Sequence, residues 1–304
     1  MSIWRYLLRT PIALLLFGCF GAFIFLAFDW PVEQVVLTST FGEHRGDHFH
    51  AGIDLGGGSQ PIYPISPGEL IFFYRETDDY TTLPTGLGNF LVLQHQGGIR
   101  SLYAHLAAGS MNPYRKFYDG TQPLGTVGSS GYSSGTHLHL SIIDTEMGTV
   151  INPLLLLPPL TDHQAPEIKE VYLQSGQERI SLEEGMSVRS TGTEGELFAT
   201  VYDLRADVSF LWKLAPYKVF FSQDGREISA FTFDSLQRTS VVVQAAQNLV
   251  LMNTDMDFAD IYDSPWTLSL GRINLVPGQT TLTVFASDFA GNESFKEYTL
   301  TVLE

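Results

Sequence analysis

Apolar and polar positions alternate in short runs along most of this chain, the period expected of half-buried β-strands. Between residues 31 and 160 the runs 35–38, 62–65, 68–73, 89–94 and 100–105 read as strands. Gln96-Gly97-Gly98 separates the last two, which predicts a hairpin with Tyr103 and His105 on one face of the return strand. A Gly- and Ser-rich loop, 131–135, then delivers another strand, in which His137 and His139 share a face with Leu138 and Leu140 behind them. The polar stretch 77–88 is long enough to be a functional flap.

Beyond Pro158-Pro159 the character changes. Residues 161–166 read as a linker, after which the runs 168–173, 197–202, 217–222, 240–243, 267–270, 280–286 and 298–303 recur at regular spacing. Asp224-Gly225 and residues 288–292 supply turns. Short alternating strands of this kind predict a β-sandwich. The expected organisation is all-β: an antiparallel domain with a groove over 31–160, followed by a separate sandwich over 161–304.

Residues 1–30 are of another kind. Arg5 and Arg9 precede an uncharged apolar run from Pro11 to Phe28. That length and flanking charge predict a signal anchor, a single transmembrane helix with both domains outside the cytoplasm. A cleaved signal peptide is the next reading, and Leu16-Phe17-Gly18-Cys19 also has the look of a lipidation site. Cys19 is the only cysteine, so no disulfide staples the rest, and thiolate zinc sites and a cysteine nucleophile are excluded. The net charge of −16 argues against nucleic acid as a partner.

The chemistry gathers at histidine. His50 and Asp54 stand four apart around Gly52, so an extended segment would aim an imidazole and a carboxylate into shared open space. With the His137/His139 strand this makes two histidines and one aspartate, plus a histidine to spare, the ligand set of a catalytic zinc with one open position. No His-Glu-x-x-His helix is present, so a base would have to be a spare histidine. Of His137 and His139, two residues apart on one face, the one that is not a ligand lies within reach of a zinc-bound water; His105, on another strand, could donate to an oxyanion. His44 and His48 flank the ligand segment as possible groove lining, Arg45 could meet a substrate carboxylate, and His95 reads as a solvated hairpin tip. A two-histidine, one-carboxylate set also suits non-haem iron, which the exported context and the extra histidines disfavour.

Five separated motifs appear in order: Phe41-Gly42 before His50-x-Gly52-x-Asp54; Gly88-Asn89-Phe90; Tyr103-Ala104-His105-Leu106; Gly125-x-Val127-Gly128; and Gly135-x-His137-Leu138-His139. Together they resemble the LytM/lysostaphin-type zinc metallo-endopeptidases, which cut peptide bonds in bacterial peptidoglycan. The resemblance covers about residues 41–153; residues 161–304 look like the Ig-like modules that follow such domains. It implies one Zn2+ per chain on His50, Asp54 and His139, with His105 and His137 as catalytic histidines and Asn89 and Tyr103 near the groove. It further implies peptidoglycan stem peptides as substrate, the inner membrane as anchor through the N-terminal helix, and a periplasmic location. The reading from a different class is a non-catalytic envelope protein that binds cell wall or regulates another hydrolase.

Overall fold

The computed structural model describes residues 27–78, 85–189, 194–208, 212–238 and 249–304. Most of the expected anchor (1–26 of 1–30), half of the expected flap (79–84 of 77–88) and the expected strand 240–243 lie outside the described residues. Among the described residues no helix is long and apolar enough to cross a membrane. Strands dominate among the described residues; the one α-helix among them, Phe258–Ile261, is a single turn capped by Asp257 and Asp260 in a reciprocal capping box.

The strand Leu138–Asp144 organises the first sheet. Ile99–Ala104 pairs along one of its edges, and the sheet continues outward through Phe90–Gln94, Gly68–Tyr74 and Phe117–Tyr118. Two strands share its other edge: Ile53–Leu55 pairs with residues 138–140, and Thr149–Ile151 pairs with residues 142–144. All pairings are antiparallel, and Leu37–Ser39 pairs in turn with Ile53–Leu55. Leu138, Leu140 and Ile142 are fully buried among Ile53, Leu55, Leu93 and Leu106, which ties the middle strand to the core through both edges.

Residues 167–303 contribute two five-stranded sheets. One runs Glu178–Ser181, Glu167–Ser175, Glu194–Tyr202, Thr267–Asn274, Tyr262–Ser264. The other runs Ser187–Arg189, Glu293–Leu303, Gly278–Ser287, Lys218–Gln223, Arg226–Thr232, its first pair parallel. They share buried Leu197, Ala199 and Leu270 on one side and Phe221, Val284 and Leu300 on the other. The layered β-architecture agrees with the sequence reading; nothing in it identifies an Ig-like module in particular.

The expected separateness of this half does not hold. Ser235–Arg238 pairs with Thr149–Ile151, and Leu249–Leu251 pairs with Ser235–Arg238, so both extend the first sheet. Leu236 and Leu251 are fully buried there, and Asn152 reaches the carbonyls of Phe233 and Asp234 through its Nδ2 and its backbone N–H. The physical reason is the edge of Thr149–Ile151, whose unpaired N–H and C=O groups the added strand satisfies. Thr40 is likewise tied to Ala215, its hydroxyl accepting from the Ala215 backbone N–H at 3.0 Å.

At the linker, carboxylate oxygens of Asp162, Asp203 and Asp288 lie within 4.8 Å of one another, and Arg205 pairs with Asp162 at 3.1 Å. Burial, then the charges of Asp288 and Asp162, push Asp203 up to about 7. A carboxyl raised on folding contributes stability that is complete below its unfolded pKa of about 3.9 and is lost as pH rises through about 7. Asp203→Asn is therefore expected to raise the melting temperature by a few degrees at pH 8 and by less than half as much at pH 5. Paired thermal melts at the two pH values check this; an equal shift at both would remove Asp203 as the titrating group.

Candidate metal centre

The pairing of Ile53–Leu55 with Leu138–Asp144 sets Asp54 directly opposite His139. His50 precedes that strand, held by backbone hydrogen bonds between His50 and both Gly42 and Glu43. Gly52 must lack a side chain: a Cβ there would stand 2.5 Å from the Leu140 carbonyl oxygen and 2.7 Å from His139 Cε1. The imidazole of His139 therefore occupies the space that any other residue at 52 would fill.

Three atoms converge. His50 Nε2 is 3.1 Å from Asp54 Oδ1, His139 Nδ1 is 3.0 Å from the same oxygen, and the two nitrogens are 3.0 Å apart. The opposite nitrogens fix the tautomers. His50 Nδ1 lies 2.8 Å from the Thr40 carbonyl, which can only accept, so the proton is on Nδ1 and Nε2 carries a lone pair. Ser141 Oγ donates its single proton to the Ala51 carbonyl at 2.7 Å, so it accepts from His139 Nε2–H at 2.9 Å and leaves a lone pair on Nδ1. Burial pushes the imidazole of His139 down to about 4, so it is neutral at neutral pH. Asp54 accepts from Arg45 through its other oxygen, Oδ2, at 3.0 Å, a contact that keeps it a carboxylate although it is buried. Two lone pairs and a carboxylate oxygen facing one another repel unless a cation stands between them. Two ligands of a tetrahedral ion with bonds of about 2.0–2.1 Å are about 3.3 Å apart, close to the observed triangle. The residues present fit a small divalent cation of the zinc type.

His105 and His137 stand beside this triangle, their ring centroids 4.7 Å apart, and His137 Nε2 lies 3.8 Å from Asp54 Oδ1. Each donates from Nδ1 to a carbonyl, His105 to Ser130 at 2.8 Å and His137 to Gly135 at 2.9 Å, so each presents a free Nε2 lone pair. His105 has a left-handed backbone, φ 62°, a conformation that costs a non-glycine residue roughly 1–3 kcal/mol. Its backbone N–H bond to Leu87 and its ring bond to Ser130 hold it there. The strand thus ends at Ala104, and His105 does not share a strand face with Tyr103.

The structure moves four other expected residues out of the groove. Tyr103 is fully buried, its hydroxyl accepting from the Ile65 N–H and from Ser101. Asn89, also buried, joins Glu76 N–H to the Leu106 carbonyl. Both brace the scaffold below the site. Arg45 turns inward, to Asp54 Oδ2 at 3.0 Å, Glu43 Oε2 at 3.1 Å and Ser39 Oγ at 2.5 Å. His44 packs its ring on Phe258 and Tyr262, 4.9 and 5.4 Å between centroids. His48 pairs with Asp47 at 2.7 Å and stays partly exposed. His95 is not a solvated tip: it is buried, contacting the Pro67 carbonyl and Ser101 Oγ. The sequence reading missed Ser39, Thr40, Ser130 and Ser141, which orient the imidazoles directly or through Arg45. Only Ser141 left a trace, as a polar residue two positions after His139 on the same strand face.

Comparison with known proteins places this geometry. Residues 48–153 match the Peptidase family M23, and a second family match covers residues 165–303. The DD-carboxypeptidase/endopeptidase Mpg of Neisseria meningitidis serogroup B is 32% identical over 135 residues, 42% of this chain. The match spans only 29% of that relative's length. A zinc-containing peptidase from Vibrio cholerae is 26% identical over 38% of this chain and 36% of its own, with a TM-score of 0.32. The catalytic domain of lysostaphin from Staphylococcus simulans is 23% identical over 36% of this chain and 81% of its own, with a TM-score of 0.31. At such scores the two structural likenesses carry no argument of their own. The sequence match and the convergence of His50, Asp54 and His139 within the matched range lead to one assignment: residues 48–153 form a peptidase family M23 domain.

Proposed function

We propose that this protein is a zinc metallo-endopeptidase that hydrolyses peptide cross-links of bacterial peptidoglycan, with one Zn2+ held by His50, Asp54 and His139. The observation that carries this reading is the triangle of ligand atoms 3.0–3.1 Å apart, each with its lone pair directed inward by an outer hydrogen bond. When bound, the ion supplies Lewis acidity toward water and toward a peptide carbonyl. The remaining work belongs to the chain. His137, with its Nε2 lone pair on the side of Asp54, accepts the proton of the attacking water. His105 has its only neutral-form proton committed to Ser130, and burial lowers its affinity for a second. It therefore begins as an acceptor and donates, to an oxyanion or to the leaving amine, only after it has taken a proton.

The location follows from the same reading. Peptidoglycan lies outside the cytoplasm, and Arg5 and Arg9 ahead of the apolar run would retain the N-terminus inside with the remainder in the periplasm. Digestion of purified sacculi by residues 27–304, with mass analysis of the released peptides and zinc determined on the same sample, tests the activity. Stoichiometric zinc with cleaved cross-links is expected; intact sacculi would return the chain to a wall-binding or regulatory role.

His137→Ala is expected to keep its zinc and to lose about 10²–10⁴-fold in kcat/KM on a cross-linked muropeptide. His105→Ala should act on the same transition state, so the double variant falls short of the product of the two losses. Loss of zinc in His137→Ala would make His137 a ligand and reverse this division of roles.

A further inference from the structure

Asp54 offers only one of its oxygens to the ligand triangle. Oδ1 is the atom shared by His50 and His139; Oδ2 faces away and accepts from Arg45 at 3.0 Å. The guanidinium is itself fixed: one arm donates to Glu43 at 3.1 Å, and the arm that reaches Asp54 also reaches Ser39 Oγ at 2.5 Å. Glu43 is 3% exposed, and its carboxylate accepts in addition from Ser39 Oγ, from the Thr40 N–H and from the Thr40 hydroxyl. Glu43, Arg45 and Asp54 thus form an alternating chain of charge, negative, positive, negative, ending at the ligand oxygen. The same two residues, Ser39 and Thr40, contact His50 Nδ1. Residues 39–50 therefore position two of the three ligands through one network.

We propose that Arg45 is a positioning residue for the metal centre: by occupying Asp54 Oδ2 it restricts Asp54 to one-oxygen coordination and leaves the fourth position of the ion open. This rests on the metal reading above. A free carboxylate can rotate to give both oxygens to one cation, which raises the coordination number and fills the position that water and substrate need. A planar fork with two donors on one side suits the restraint, whereas an ammonium supplies a point charge without it.

The test compares Arg45→Met and Arg45→Lys with the wild-type chain, using zinc dissociation constants from chelator competition and visible absorption after Co2+ substitution. Wild type is expected to bind one zinc and to give the intense visible bands of four-coordinate cobalt. Arg45→Met should bind zinc about 10–100-fold more weakly, the range for loss of an outer hydrogen-bond partner. Its cobalt bands should weaken as a fifth ligand atom enters. Arg45→Lys should recover part of the affinity and less of the spectrum. Glu43→Gln, which loosens the guanidinium without removing it, should shift both readouts in the same direction by a smaller factor, and it serves if Arg45→Met fails to fold. Wild-type affinity and an unchanged cobalt spectrum in Arg45→Met, or in Glu43→Gln should Arg45→Met not fold, overturn the positioning role. A wild-type chain that takes up no zinc overturns the metal reading itself, which is a separate result.

Discussion

Asp54→Ala is expected to abolish both stoichiometric zinc and hydrolysis. The carboxylate is the one charged member of the triangle and the atom common to its two short sides, 3.1 Å to His50 and 3.0 Å to His139. Without it two imidazoles face each other across 3.0 Å with no anion to balance a divalent cation. The affinity loss should exceed the 10–100-fold that removal of an outer partner costs, because a ligand itself is gone. The change also strands Arg45, whose Asp54 contact disappears while Glu43 still holds it. Zinc analysis after gel filtration and kcat/KM on the same samples check the prediction. Asp54→Ala that retains full zinc occupancy would show that another residue supplies the third ligand.

A chain ending at residue 160 is expected to lose cooperative folding, and with it zinc affinity. Phe49, one position from His50, is 1% exposed, and its ring meets Phe258 at 5.5 Å, Tyr262 at 6.1 Å and Phe233 at 6.3 Å, all from beyond the cut. Phe233 also lies against Gly42, whose φ of +84° and 2.2 Å approach to Phe233 Cδ1 from an ideal Cβ position exclude any side chain. Tyr262, buried, donates its hydroxyl to the Gly42 carbonyl at 2.9 Å. Each large apolar side chain returned to water costs about 1.5–3 kcal/mol, against a whole-domain stability of about 5–15 kcal/mol. The cut also strips Ser235–Arg238 from Thr149–Ile151 and leaves that edge open to pairing with other chains. Thermal melts, size-exclusion chromatography and zinc titration of residues 27–160 check this. A monomer with a sharp transition and full-length zinc affinity would make the C-terminal half a passenger.

The chain's local order was enough to read the all-β class, the hairpin joining Phe90–Gln94 to Ile99–Ala104, and the gathering of His50, Asp54, His137 and His139. These are consequences of period-two patterning, turn glycines and short spacing, which act within a few residues. Tertiary structure decided what depends on distant partners. The left-handed backbone of His105 is set by Leu87 and Ser130, and the inward turn of Arg45 by Glu43 and Asp54. Tyr103 and Asn89 were withdrawn from the groove because Ile65 and Leu106 offered their side chains buried partners. The union of the two halves through Ser235–Arg238 had no local signal, since four residues with a single buried apolar side chain, Leu236, read as loop until the open edge of Thr149–Ile151 is in view. A sequence states which side chains can act; the direction of a lone pair is fixed by the atom on the far side of the ring, and here that atom is usually a carbonyl or hydroxyl of another segment.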